Sequence, residues 1–139
     1  RGNCSLVTGI AGISENIHIN GIIDRYLEHS RIFIFANGGE EKYYIGSADW
    51  MPRNLDNRIE VLAPVYDKEI QADLKRIVCY GYRDTAKGRI VDGTGENRPW
   101  ENRPSTLCKD FTPALAEAET ATVVFRSQEE LYRKYKNTL

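Results

Sequence analysis

The chain has 139 residues, 41% apolar and 28% charged, with a formal net charge of −1. That suits one soluble globular domain with a modest core, and it excludes an overall basic field of the kind that draws proteins to nucleic acid. The longest apolar run, Ile32 to Ala36, is far too short to cross a bilayer. The chain opens at Arg1 with no methionine and no leader, and reads as a piece of something longer.

In chain order, Cys4, Leu6 and Val7 suggest a short strand, broken by Gly9 and Gly12. Ser14 can cap a following helix whose apolar face is Ile19, Ile22, Ile23, Tyr26 and Leu27, at spacings of three and four. His29 then lies just past that helix. Ile32 to Ala36 is continuously β-branched and aromatic, as in a strand covered on both faces. Asn37-Gly38-Gly39 supplies a tight turn, and Lys42 to Ile45 returns as the partner strand. After Pro52, Arg58 to Val65 predicts a third strand. Asp67 is placed to cap a helix with Ile70, Leu74, Ile77 and Val78 on its buried face, stopped by Gly81.

Beyond Lys87 the texture changes. Glu-Asn-Arg-Pro occurs at 96–99 and again at 101–104, too short to be a solenoid repeat. Residues 92–112 read as loop or as cover for a sheet edge, and Ser127 to Leu139 as a weakly amphipathic terminal helix. The alternation of helices and strands points to an α/β sheet. Cys4, Cys79 and Cys108 are odd in number without CxxC spacing, which predicts buried free thiols in a reducing cytoplasm. The sequon Asn3-Cys4-Ser5 has no secretory context.

The chemistry concentrates between Leu27 and Val61. On an extended chain His29 and Arg31 project side by side, an imidazole that can move a proton or hold a phosphate next to a guanidinium that can bind phosphate oxygens. The hairpin returns Ser47 and Asp49 to the same edge, and Gly46 would let the backbone approach a ligand. Glu60 interrupts the apolar run Ile59 to Ala63. A carboxylate there needs a partner: His29, whose tautomer it would fix, or Arg58 or Arg53 as a plain ion pair. Arg1, Arg25, Arg53, Lys87 and Arg89 are further cations, and His18 reads as structural.

Several strings together resemble the C-terminal catalytic region of the histidine-phosphorylated bacterial polyphosphate kinases. They are Arg1-Gly2-Asn3-Cys4, Gly12 to Ile17, Arg25 to Arg31, Ser47 to Asp56, and Arg58-Ile59-Glu60-Val61 with Pro64. Asp84, Lys87 and Arg89 fit a looser Asp-x-x-Lys-x-Arg element. The resemblance implies a phospholipase D-like mixed β-sheet flanked by helices, here a truncated domain. Residues 1–90 would be the partial catalytic domain, and 91–139 its C-terminal loop and terminal helix. Arg31 stands where the wider phospholipase D superfamily has lysine, and Asp49 where it has asparagine, which favours the kinase over a phosphodiesterase.

The implied activity is reversible transfer of the terminal phosphate of ATP to polyphosphate, with Mg2+, through a phosphohistidine in a preceding domain. His29 matches the family's second essential histidine and Arg1 an arginine on the nucleotide phosphates. Arg31, Ser47 and Asp49 would join the phosphate site, and Glu60 would orient His29. The metal-contacting residues would lie upstream, so no metal ligand is expected in this segment. ATP, ADP, polyphosphate and the remaining domains of the polypeptide are the implied partners, in a homo-oligomer that binds no nucleic acid. The implied setting is the cytoplasm, including the inner membrane face. The isolated segment would be inactive. A phospholipase D-type phosphodiesterase and a non-catalytic phosphate- or nucleotide-binding domain are the rival readings.

Overall fold

A computed structural model of the chain describes residues 4–101, 108 and 124–137. Contacts divide the chain into two units, His29–Val78 on one hand and Arg1–Glu28 with Cys79–Leu139 on the other.

The His29–Val78 unit is built on a three-stranded antiparallel sheet, β2 (Ile32–Phe35), β3 (Lys42–Gly46) and β4 (Leu62–Val65), in that order. The β2–β3 hairpin pairs Ile32 with Ile45 and Phe35 with Lys42. Its turn, Asn37–Gly39, needs left-handed backbone at Asn37 (φ 43°), Gly38 (φ 68°) and Gly39 (φ 106°), which Asn and Gly tolerate best. The register runs Tyr43 to Val65 and Gly46 to Leu62 across β3 and β4. Between these strands Met51-Pro52 starts a single helical turn, α1 (Pro52–Leu55), with proline at the position where its missing N–H costs nothing.

Helix α2 (Lys68–Tyr82) begins where the sequence places it: Asp67 Oδ1 accepts from the backbone N–H groups of Glu69 and Ile70 at 2.9 and 3.0 Å. Its first half is tied to the sheet. Gln71 Nε2 donates to the Val65 carbonyl at 2.7 Å, and Lys75 Nζ meets Glu41 at 3.0 Å. Tyr43 is buried there and donates to Glu41. That hydrogen bond, with Lys75 beside it, holds the Glu41 carboxyl below the usual range, and burial pushes the Tyr43 phenol up.

In the other unit β1 (Asn20–Ile22) pairs antiparallel with β5 (Gly88–Ile90). The first Glu-Asn-Arg-Pro copy continues this edge: Pro99 bridges Arg89, and Trp100 N donates to the Gly88 carbonyl at 3.0 Å. Residues around 99 therefore do cover a strand edge. The Trp100 ring is buried, 5.1 Å from Tyr82 and edge-on to it. The terminal helix, α3 (Ser127–Tyr135), falls within the predicted segment.

Every strand pairing among the described residues is antiparallel, and the class is α/β.

Several local expectations are corrected. No helix forms over 14–27, because the isoleucines there are poor helix formers and Asn20–Ile22 is captured by β5. Ser14 instead closes a turn, donating to the Val7 carbonyl at 2.7 Å and accepting from Ile10 N at 3.1 Å. Residues 4–7 form no strand, and β4 starts only at Leu62. Strand β2 is not covered on both faces, since Phe35 is 51% exposed. Gly81 does not end α2: Asn20 Nδ2 takes its carbonyl at 2.9 Å, and the helix runs on to Tyr82. Cys79 and Cys108 are not free thiols but a disulfide, their Cα atoms 5.4 Å apart, and Cys4 is free and exposed. The pairing spans 29 residues, which spacing alone does not reveal.

Candidate active site

All candidate residues from His29 to Glu60 belong to one unit. Arg31 immediately precedes β2, and the ladder reaches it, since Gly46 N donates to its carbonyl at 2.9 Å. Its guanidinium is held on one edge by Asp49, with Nε and Nη2 both 2.9 Å from Oδ1. The opposite corner meets His29: Nη1 lies 3.2 Å from Nδ1 and 3.4 Å from Nε2, and donates to the His29 carbonyl at 3.2 Å. An arginine can only donate, so this contact requires an unprotonated nitrogen on the ring. The side-by-side placement of His29 and Arg31 read from their spacing is present, although neither lies within a strand.

A second cluster adjoins it. Ser47 donates to Glu60 Oε2, and Asn54 Nδ2 donates to Glu60 Oε1 at 2.9 Å. Ser47 also joins the backbone: its Oγ accepts from Val61 N at 3.1 Å, and its N donates to the Val61 carbonyl at 3.0 Å. Glu60 therefore pairs with neither His29 nor an arginine. Its partners are a hydroxyl and an amide, because the chain turns away from β4 before residue 61 and directs the carboxylate at the end of β3.

Electrostatics link the clusters. The hydrogen bond from Ser47, then that from Asn54, holds the Glu60 carboxyl below its ordinary range, with the charges of Arg58 and Arg31 adding to it. The bond from Arg31 does the same for Asp49, helped by the charges of Arg31 and Arg53. Both carboxylates stay ionised at neutral pH, and the Arg31 charge is felt by both.

Asn54 is the residue sequence reading missed. It is buried on α1, and its only signal is Met51-Pro52, which fixes the helical turn presenting it. Gly46 is read differently too. A Cβ there would meet Leu62 Cδ1 at 3.1 Å and Phe33 Cε2 at 3.3 Å, so the space belongs to those side chains and not to a ligand.

Arg1 lies outside the described residues. Arg25 sits over its neighbour Tyr26, 5.6 Å from the ring centroid, and Arg89 donates to the Gly88 carbonyl at 2.7 Å. Asp84 is fully buried, receiving Lys87 N, Gly88 N and both the N–H and hydroxyl of Ser127 at 2.6–3.2 Å. It is a structural knot. Among the described residues no three of His, Cys, Asp and Glu converge as a metal cage.

Comparison with known proteins identifies the setting of this geometry. The family profile described as polyphosphate kinase C-terminal domain 2 matches residues 1–109. Polyphosphate kinase of Escherichia coli strain K12 is 48% identical over 125 residues, covering 86% of this chain and 18% of that protein. The enzyme of Vibrio vulnificus strain YJ016 is 52% identical over 92 residues, covering 66% of this chain and 13% of that one. The crystal structure of polyphosphate kinase from Porphyromonas gingivalis superposes with a TM-score of 0.69 at 37% identity, over 90% of this chain and 17% of that one. The fold is thus the phospholipase D-like one expected for these enzymes. The chain spans less than a fifth of the length of these relatives. It belongs to the polyphosphate kinase family and corresponds to a part of that family's C-terminal domain 2.

Proposed function

We propose that this segment forms one wall of a phosphoryl-transfer site, in an enzyme that moves the terminal phosphate of ATP reversibly to and from polyphosphate. The phosphorylated histidine would lie in another domain of the same polypeptide, within a homo-oligomer. The observation that carries the reading is the His29–Arg31–Asp49 cluster. Phosphoryl transfer rests on positioning and electrostatic stabilisation, and this cluster supplies both. Asp49 grips one edge of Arg31 and fixes its direction. Nη1 gives its N–H groups to the His29 ring and carbonyl, so what remains for a phosphate oxygen is the second N–H of Nη2, on a guanidinium that the imidazole adjoins. His29 serves there as phosphate ligand or proton carrier, opposite the absent nucleophile.

Ser47, Asn54 and Glu60 hold the floor of the site, and Glu60 acts on the end of β3 instead of on the imidazole. Arg1 would supply a further cation to the nucleotide phosphates. Magnesium, when bound, would offset charge on those phosphates. The described side chains give it no cage, and no step here passes through it.

The test is His29→Ala in the intact enzyme. Removing a positioned acid–base or phosphate-binding imidazole should lower polyphosphate synthesis by about 100-fold or more with folding unchanged. Near-normal synthesis overturns the proposal.

A further inference from the structure

Between β1 and His29 the chain is irregular. Among the described residues, no backbone-to-backbone hydrogen bond reaches 24–30. What holds this stretch comes instead from the start of α3. Arg126 donates to both oxygens of Asp24, Nε to Oδ2 at 2.8 Å and Nη2 to Oδ1 at 2.6 Å. Gln128 acts as a length of backbone would: its Oε1 accepts from Tyr26 N at 3.0 Å, and its Nε2 donates to the Tyr26 carbonyl at 2.8 Å. The second N–H of the same Nε2 goes to Glu28 Oε1 at 2.7 Å. The whole amide of Gln128 is thus spent on Tyr26 and Glu28.

The base of this clamp is itself fixed. Ser127, between the two clamping residues, donates from its N–H and hydroxyl to the buried Asp84 at 2.8 and 2.6 Å. Phe125 N donates to Thr85 Oγ1 at 2.9 Å, and its carbonyl accepts from Thr85 N and Ala86 N at 3.0 and 3.1 Å. Gln128 therefore meets Tyr26 and Glu28 from a seated helix end. Glu28 is joined through its peptide bond to His29. On its other side His29 is held by Arg31, whose Nη1 donates to the His29 carbonyl at 3.2 Å. In irregular chain each untied residue contributes two soft dihedrals, so a side chain is aimed only as well as the backbone leading to it. A displacement of about 1 Å at a reacting centre can cost on the order of 100-fold in rate.

We infer that Gln128 is a positioning residue for His29, its amide fixing the Tyr26 backbone and the Glu28 side chain so that the imidazole is presented at one angle. The inference rests on the function proposed above, which gives the imidazole its task. It adds a residue that acts only through its neighbours.

The experiment measures kcat and KM for polyphosphate synthesis by variants of the intact enzyme, and the thermal midpoint checks that each is folded. Gln128→Ala should lower kcat about tenfold and leave the KM for ATP within about twofold. Added to His29→Ala, it should cost less than about twofold, because a residue acting through the imidazole has nothing left to aim. Gln128→Glu should lose as much as the alanine variant, since a carboxylate there faces Glu28. Adding Glu28→Gln supplies a donor again and should return kcat to within about threefold of the unmodified enzyme. An unchanged kcat in Gln128→Ala overturns the inference. So does a loss of about tenfold that persists in the His29→Ala background, which would mark Gln128 as a staple of the fold at large. Where that background leaves no measurable turnover, the Glu28→Gln rescue decides, and its failure overturns the inference. The proposed function fails on a different result, near-normal synthesis by His29→Ala alone.

Discussion

Residues His29–Val78 form their unit from one unbroken stretch of chain, whereas the other unit joins Arg1–Glu28 to Cys79–Leu139. The first is held by adjacent antiparallel ladders and by short-range partners such as Ser47 and Asn54 on Glu60. The second is stitched across long loops. Arg126 reaches Asp24 at 2.6 Å, the Gln128 side chain bonds both the N–H and carbonyl of Tyr26, and Ser127 sits on Asp84. Its Cys79–Cys108 disulfide adds a covalent stitch. The difference shows that two acidic residues of similar appearance in the sequence, Glu60 and Asp84, do unlike jobs. Glu60 lies at the rim of a site with side-chain donors, while Asp84 lies in the interior and satisfies three backbone N–H groups as well as a hydroxyl.

The sharpest way to break this contrast is to remove each carboxylate. Asp84→Ala leaves two buried backbone donors, Gly88 N and Ser127 N, and the part-buried Lys87 N without an acceptor, and each buried loss costs on the order of 1–3 kcal/mol. The expected sum, roughly 4 kcal/mol or more, is enough to unfold many domains outright. Glu60→Ala, on an accessible rim, should shift the denaturant midpoint far less. Equal losses in urea titrations would erase the distinction between knot and site. Next in size is the disulfide. Closing a loop of 29 residues is worth about 3.5 kcal/mol by chain entropy, so Cys79→Ala with Cys108→Ala should lower stability by that order. A reductant should then have no further effect on the double variant. A reductant effect that persists would place the redox sensitivity elsewhere.

The same contrast explains what could be read without coordinates. The β2–β3 hairpin, its Asn37-Gly38-Gly39 turn and the Asp67 cap are written in neighbouring residues, so local rules find them. The His29–Arg31 pair was legible for that reason, two positions on an extended chain. Glu60 was legible as an anomaly but not in its partner, because Asn54 depends on a helical turn too short to leave a periodic pattern. The isoleucines at 19, 22 and 23 fit a helical period, and β5, some 68 residues away from β1, decided otherwise. Pairing of Cys79 with Cys108 and of Asp24 with Arg126 joins residues 29 and 102 apart, and no local signal encodes either.

The smallest expected effect concerns acid. Asp24, held by the hydrogen bond from Arg126, and Glu41, Asp49 and Glu60 all have carboxyl groups below their ordinary range in the folded chain. The unfolded chain has them near about 4, so it binds more protons than the folded one once the pH drops toward that value. Their stabilisation is therefore complete above pH ~5 and is lost as the pH falls through the lowered folded values. The thermal midpoint should decline from pH ~5 toward ~2. Asp24→Asn should flatten that decline most, since its carboxylate side chain is only 2% exposed. Asp49→Asn should flatten it less, and 1 M salt should weaken its contribution, because an accessible ion pair is screened. A midpoint that rises on acidification would mean these carboxylates are not held by the partners described.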